Sequence, residues 1–413
     1  MTTTQERRAS RPLVLALAAV LVVAQVVVLA VWPAAHMLMI DLQVYRAGGE
    51  AMLRGTPLYE GGVLLDLPFV YPPFAALVFV PLTVLPLPVL KIAWTVAGVA
   101  LLVVVVRRSA ALLSRRLDPA LTALLVAVVL ALDPVRTTFY LGQINVVLLA
   151  LVLADLTGRP GSRLRGVGVG IAAALKLTPL LFVAYLLLTG RWRAAATAVA
   201  TFAAAVGLGF LLDPADSTVY WLRGTFAAAD RISPVAGPSN HALAGLLARA
   251  GAPPAAGLVA MAVLGIIGLA VAVRAHRRGR ELLAVTLCGL LAAADAPFAW
   301  SHHFVWFAPL VVLLAHHAVD GDRRAQAGLA ALLAGTLAWI TRLPGPAVGP
   351  IPSTGLISLL PDAYLVAVVA STAVAAWRPG YDSEASGPSM RSGRSWRRAM
   401  TSRSDSESPP QTP

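Results

Sequence analysis

PLVLALAAVLVVAQVVVLAVW, residues Pro12 to Trp32, decides what kind of molecule this is. The run carries no charged side chain, and at 1.5 Å of rise per residue it reaches across a hydrocarbon core of about 30 Å. It follows a basic N-terminus with Arg7, Arg8 and Arg11, the layout of a signal peptide. It is longer than the apolar part of such a leader, however, and further apolar runs follow, so it reads as a first membrane span.

Working outward, comparable runs recur at Val89 to Val106, Pro119 to Leu132, Gln143 to Asp155, Ala194 to Leu212, Gly257 to Val273, Leu282 to Asp295, Phe298 to His316, Ala325 to Ile340 and Leu359 to Trp377. With 58% hydrophobic and 13% charged residues, a water-soluble domain lacks the polar surface to cover them. The expected fold is an all-α polytopic membrane protein of about ten full transmembrane helices, with both termini on one side.

The net charge of +13 does not point to nucleic acid. The arginines sit between apolar runs, at Arg107 to Arg116, Arg159 to Arg165, Arg191 to Arg193, Arg274 to Arg280 and Arg323 to Arg324. The positive-inside rule makes these loops cytoplasmic. Residues 36–71, 133–141, 213–240, 296–302 and 342–358 are then external. The single cysteine, Cys288, lies in an apolar run and allows neither a disulfide framework nor a cysteine-based metal site.

Two stretches resist assignment as simple spans. Pro73 to Pro86 is too short to cross, and counting it would turn the Arg107 cluster outward, so it reads as a re-entrant piece. Gly166 to Thr189 is interrupted at its middle by Lys176, Thr178 and Pro179, which predicts a broken helix or a short hairpin bent near Lys176. Irregular backbone at membrane depth requires surrounding protein or a watery cavity. The expected organisation is a basic N-terminus (1–11), one transmembrane domain (12–378) and a Ser, Arg, Pro and Gly-rich cytoplasmic tail (379–413) whose composition reads as disordered.

Polar residues crowd onto the external side. Asp41 lies in Ile40-Asp41-Leu42-Gln43-Val44-Tyr45, where span and loop meet; it either ends a span or serves as a semi-desolvated proton acceptor. Gln143 and Asn145, in Tyr140-Leu141-Gly142-Gln143-Ile144-Asn145, are suited equally to sugar hydroxyls and to helix capping. Lys176 must snorkel, pair or face an anion in a cavity. Ser239-Asn240-His241 and Asp295-Ala296-Pro297-Phe298-Ala299-Trp300-Ser301-His302-His303 complete the set. Adjacent helical histidines point about 100° apart, so only one of His302 and His303 is expected to reach a given ligand. Their spacing is a weak metal signal.

In order and topology, Asp41-Leu42-Gln43-Val44-Tyr45, Tyr71-Pro72-Pro73, Gly142-Gln143-Ile144-Asn145, Lys176-Leu177-Thr178-Pro179, Ser239-Asn240 and Trp300-Ser301-His302-His303 resemble glycosyltransferase family 87. These are polyprenol-phosphate-mannose-dependent alpha-(1,2)-mannosyltransferases of the GT-C superfamily. The resemblance implies a GT-C-type bundle in the plasma membrane, acting at the external face. It implies a polyprenyl phosphate mannose donor and a lipid-anchored glycan acceptor, with Asp41 at the catalytic base position. Lys176 and His302 or His303 are then candidates for the leaving phosphate. Tyr45, Tyr71, Gln143, Asn145, Asn240 and Trp300 are candidates for sugar or acceptor, the aromatics being equally suited to membrane anchoring. A single phosphodiester demands no metal, and no cofactor is expected. The alternatives are a secondary transporter, for which related halves and a midplane site are expected and no echo between halves is seen, a flippase of lipid-linked glycan, which also needs a lateral lipid groove and from which Asp41 is the discriminator, and a GT-C enzyme using another sugar, mannose resting on the resemblance alone.

Overall fold

The computed structural model describes residues 2–30, 38–158, 161–228, 233–337 and 362–377. The expected tail after Pro379 lies outside the described residues, as does the end of the run to Ile340. Apart from an isolated bridge between Leu64 and Leu67, the described secondary structure is helical. The helices are α1 (Thr2–Ala30), α2 (Ile40–Arg54), α3 (Pro73–Phe79), α4 (Leu87–Leu112), α5 (Pro119–Ala131), α6 (Asp133–Leu141), α7 (Asn145–Leu156), α8 (Val167–Leu175) and α9 (Leu181–Leu188). They continue with α10 (Trp192–Leu212), α11 (Pro214–Ser217), α12 (Leu243–Arg249), α13 (Pro254–Arg277), α14 (Glu281–Ala294), α15 (Phe307–Val319), α16 (Arg323–Leu337) and α17 (Ala363–Trp377).

The all-α expectation holds among the described residues, whereas the count of about ten full spans is not confirmed. Among the described residues three helices, α4, α10 and α13, are long and apolar enough to cross a bilayer, or four if a bent pair counts as one. The other apolar helical stretches are shorter, Pro12–Val27 of α1 among them, and several end for reasons that are local. Pro119 to Leu132 does not continue straight: Leu132 is extended, Pro134 sits in the next turn, and α6 leaves α5 at 79°. The expected span from Phe298 starts as a helix only at Phe307, because Ser301–Phe304 forms a 3-10 turn. The run at Gln143 becomes helical at Asn145. The short stretch after Pro72 is α3 followed by a 3-10 turn at Val80–Thr83, too short to cross, as its length required.

The bend between α5 and α6 holds charge inside the protein. Asp133 and Arg136 are buried and paired at 3.2 Å. Arg136 also donates to Gln25 of α1, and the Tyr364 hydroxyl of α17 donates to Asp133 at 2.6 Å. Three distant segments are thereby tied together at a place where an unpaired charge would be costly.

The interrupted run forms a hairpin, the second of the two arrangements expected from sequence. A Cβ on Gly166 would lie 2.1 Å from the Ala194 carbonyl oxygen, and one on Gly170 would lie 2.6 Å from that of Ala198. The contacts advance in step, so α8 and α10 run in the same direction. Gly190, at the far end of the segment, immediately precedes Arg191 and α10. The segment therefore departs from and returns to the same end of α10, with Lys176 and the 3-10 turn Thr178–Leu180 at its tip. Its base is fastened: both carboxylate oxygens of Asp155 accept from the Gly166 N–H, and one also accepts from Val169. At the other end Glu281 accepts from Arg191 at 2.8 Å and from His276 at 2.5 Å.

Gly166 has φ +105° and no room for a side chain, whereas Gly190 has φ +74° and nothing near it. Gly166→Ala is therefore expected to cost about 3 kcal/mol or more, combining left-handed strain with overlap on backbone. Gly190→Ala should cost about 1 kcal/mol, from strain alone. Thermal unfolding of the two detergent-solubilised variants measures the difference, and equal melting temperatures would refute the close packing of α8 on α10.

Candidate active site

The site grows from one turn. Between α6 and α7 the chain passes through Gly142 at φ +71°, a left-handed cap that ends α6, and then Gln143, Ile144 and Asn145. The same region receives α2. Met39 donates its N–H to the Tyr140 carbonyl at 2.7 Å, and a Cβ on Gly142 would lie 2.7 Å from the Leu42 side chain. Glycine at 142 thus serves both the turn and the close approach of α2. Asp41, in the first turn of α2, is set beside Gln143 in consequence.

Gln143 donates from Nε2 to Asp41 Oδ2 at 2.6 Å. Its Oε1 faces the Tyr45 hydroxyl at 2.8 Å and the Tyr71 hydroxyl at 3.2 Å, and these two hydroxyls are 2.9 Å apart. Tyr45 is fully buried and stacks on Phe79 with centroids 4.5 Å apart. Burial pushes the Asp41 carboxyl up to about 6, against the opposing pull of the Gln143 hydrogen bond and the Lys176 charge. A carboxylate held there is basic enough to take a proton near neutral pH.

Asn145 holds the second half. Its amide donates to the His302 carbonyl at 2.9 Å, and its Oδ1 accepts from Lys176 Nζ at 3.2 Å. Lys176 also lies 2.9 Å from His303 Nε2 and 5.8 Å from the centre of the Tyr71 ring. Because an ammonium only donates, His303 Nε2 accepts and the proton of a neutral ring sits on Nδ1. That Nδ1 is buried with no hydrogen-bond partner among the described residues. Beneath the pair a cavity opens between α7, α9 and α14, with Leu148, Phe182, Gly289 and Trp306 in its walls.

The structure thus gathers Asp41, Tyr45, Tyr71, Gln143, Asn145, Lys176 and His303 around one turn. Trp300 joins them through the histidines, its ring 5.5 Å from that of His302 and 6.0 Å from that of His303. The two histidines occupy a 3-10 turn, not the helix expected, and contribute differently: the His303 ring meets Lys176, while His302 offers Asn145 its backbone carbonyl. Asn240 is not brought to this turn by any hydrogen bond among the described residues. It is fully buried, its Oδ1 accepts from Ala242 and Ala299, and its amide donates to Val235 and Pro297. Its hydrogen-bonding groups are taken up by backbone, and it clamps two loops together. The cavity walls escaped sequence reading, since Leu148, Phe182 and Trp306 sit in apolar runs that give no local sign of lining a space. Among the described residues no three His, Cys, Asp or Glu side chains gather as a metal-holding group.

A polytopic membrane protein with a carboxylate and a lysine–imidazole pair on the two sides of one buried turn has the makings of a membrane-embedded group-transfer enzyme. The profile of glycosyltransferase family 87 matches residues 69–297, more than half the chain. A Mycobacterium tuberculosis polyprenol-phosphate-mannose-dependent alpha-(1-2)-phosphatidylinositol mannoside mannosyltransferase is 38% identical over 322 residues, 72% of this chain and 74% of that one. Its Mycolicibacterium smegmatis counterpart is 37% identical, over 74% of this chain and 76% of its own. A Mycolicibacterium smegmatis polyprenol-phosphate-mannose-dependent alpha-(1-2)-phosphatidylinositol pentamannoside mannosyltransferase is 35% identical, over 82% and 84%. No solved structure matches. The chain belongs to glycosyltransferase family 87 and is a mannosyltransferase.

Proposed function

We propose that this enzyme moves mannose from polyprenyl phosphate mannose to a hydroxyl of a phosphatidylinositol mannoside, forming an alpha-1,2 linkage with inversion at the anomeric carbon. The donor and acceptor classes come from the names of its relatives. The observation that carries the chemistry is the Gly142–Asn145 turn, which has the Asp41 carboxylate hydrogen-bonded through Gln143 and the Lys176–His303 pair joined through Asn145.

Asp41 takes the proton of the acceptor hydroxyl as that oxygen bonds to the anomeric carbon. The bond from that carbon to the phosphate oxygen breaks, and its electron pair leaves with polyprenyl phosphate. One base opposite the leaving group suffices for such an inverting displacement. Negative charge grows on the phosphate, where Lys176 Nζ and the proton of His303 Nδ1 stabilise it away from bulk water. Trp300 borders the sugar. The positions of the arginine clusters favour a plasma-membrane site on the external face and cytoplasmic termini.

The test is transfer of labelled mannose from synthetic polyprenyl phosphate mannose to purified phosphatidylinositol mannosides by membranes bearing this chain. Labelled product with a 2-linked terminal mannose supports the proposal. Turnover of the donor only when a different glycolipid acceptor is supplied would overturn the acceptor, and inertness toward this donor would overturn the whole reading.

A further inference from the structure

We infer that Gln143 is a positioning residue for Asp41, and that the buried hydroxyls of Tyr45 and Tyr71 fix the direction in which its amide points. The inference rests on the proposal that Asp41 is the base. It gives these three residues a task different from contact with sugar.

A primary amide has a donating and an accepting end, and Asp41 needs the donating one. With Nε2 toward Asp41, a 2.6 Å hydrogen bond stabilises the carboxylate. Turned over, the amide would set its carbonyl against that carboxylate, which is tolerable only if Asp41 carries a proton and is useless as a base. The amide orientation and the charge state of Asp41 are therefore coupled.

Tyr45 and Tyr71 break the tie. Two hydroxyl protons are shared among three oxygens, the two phenols and Gln143 Oε1, all within 3.2 Å of one another. However those protons are distributed to make hydrogen bonds in this triangle, at least one lands on Oε1. Tyr45 is further constrained because its oxygen already faces the Ile144 N–H at 3.4 Å. Neither ring is free to turn away: Tyr45 is fully buried against Phe79, and Tyr71 lies edge-on to Tyr45 at 5.1 Å. Such buried residues are poor sugar contacts and good orienting groups.

The other groups facing Asp41 are few. Tyr45 comes from its own helix, Tyr71 from the segment entering α3, and the Lys176 charge from the hairpin tip. Of the remaining charges on α2, Arg46 and Arg54 both pair with Glu50, and Lys91 of α4 donates to the Leu38 carbonyl.

The experiment is the pH dependence of kcat/KM in the mannose-transfer assay for wild type, Tyr45→Phe/Tyr71→Phe, and Gln143→Met, with Asp41→Asn alongside. Removing the hydroxyls, or the amide itself, should move the acid limb up by about one pH unit, since a hydrogen bond to the charged form is lost. At pH 6 that is a roughly fivefold loss carried by kcat, fading above pH 8. Each single phenylalanine variant should give a smaller shift and keeps the test usable if the double variant folds poorly. An acid limb that coincides with wild type, or a loss equal at every pH, overturns the inference while an inert Asp41→Asn leaves the base standing. If Asp41→Asn retains wild-type transfer, the underlying assignment of the base has failed instead.

Discussion

Asp41→Asn is expected to lower mannose transfer about a thousandfold at unchanged protein level, within the range general-base removal usually gives. Asparagine keeps the shape of the side chain and a partner for Gln143 but cannot accept the acceptor's proton. The same carboxyl sets the pH dependence. Its pKa is raised to about 6, and as the proposed base it is competent only when ionised. Wild-type kcat/KM should therefore fall tenfold per unit as pH drops below about 6 and level off above it. Asp41→Asn should lose that limb along with the rate. Initial rates from pH 5 to 8.5 measure both effects, and substantial transfer by the variant would move the base elsewhere.

The second large effect is expected from Lys176→Met. Methionine matches the length and apolar stem of lysine but removes the charge from the hairpin tip. Losing one preorganised cation at a developing anion typically costs 10²–10³-fold in rate, and about that loss is expected here, carried mainly by kcat. His303→Asn should cost less, because Lys176 keeps Asn145 as a partner. Lys176→Arg is not a safe control, since a planar guanidinium does not reproduce the geometry of an ammonium between Asn145 and His303. A Lys176→Met enzyme with wild-type kcat would remove the phosphate role from this residue.

Much of this was legible in the sequence because the strongest physical constraints are local. The membrane character followed from uncharged runs such as Pro12 to Trp32, and the break near Lys176 from a charge and a proline where a span could not carry them. Asp41, Lys176 and the His302–His303 pair stood out because a polar group in or beside an apolar run needs a reason. Other features depend on partners distant in sequence. Asp133 sits buried where α6 leaves α5 at 79°, paired with Arg136 of its own helix and with the Tyr364 hydroxyl, while Arg136 reaches Gln25; Tyr364 and Gln25 come from two distant places in the chain. Asn240 read as a polar group awaiting a ligand until Val235, Pro297, Ala242 and Ala299 used its hydrogen-bonding groups. Tyr45 and Tyr71 read as sugar platforms or anchors; their position behind Gln143, not in front of it, depends on how α2 meets the turn after α6.

The hairpin that carries Lys176 also constrains how the protein is made. A run that enters and leaves at one end of α10 has no stable home in lipid by itself, because its tip exposes an ammonium and unpaired backbone groups to hydrocarbon. As the nascent chain emerges, residues 166–190 have no docking face until α10 is synthesised, since the backbone seats for Gly166 and Gly170 lie on α10 at Ala194 and Ala198. Insertion of this hairpin is thus a late event, closed by the helix that follows it. Chains truncated at Thr189 should leave the segment accessible to a water-soluble thiol reagent at an engineered cysteine near the tip, whereas chains extended through Leu212 should bury it. Lys176 would then reach its place only after the neighbouring spans are already in the bilayer.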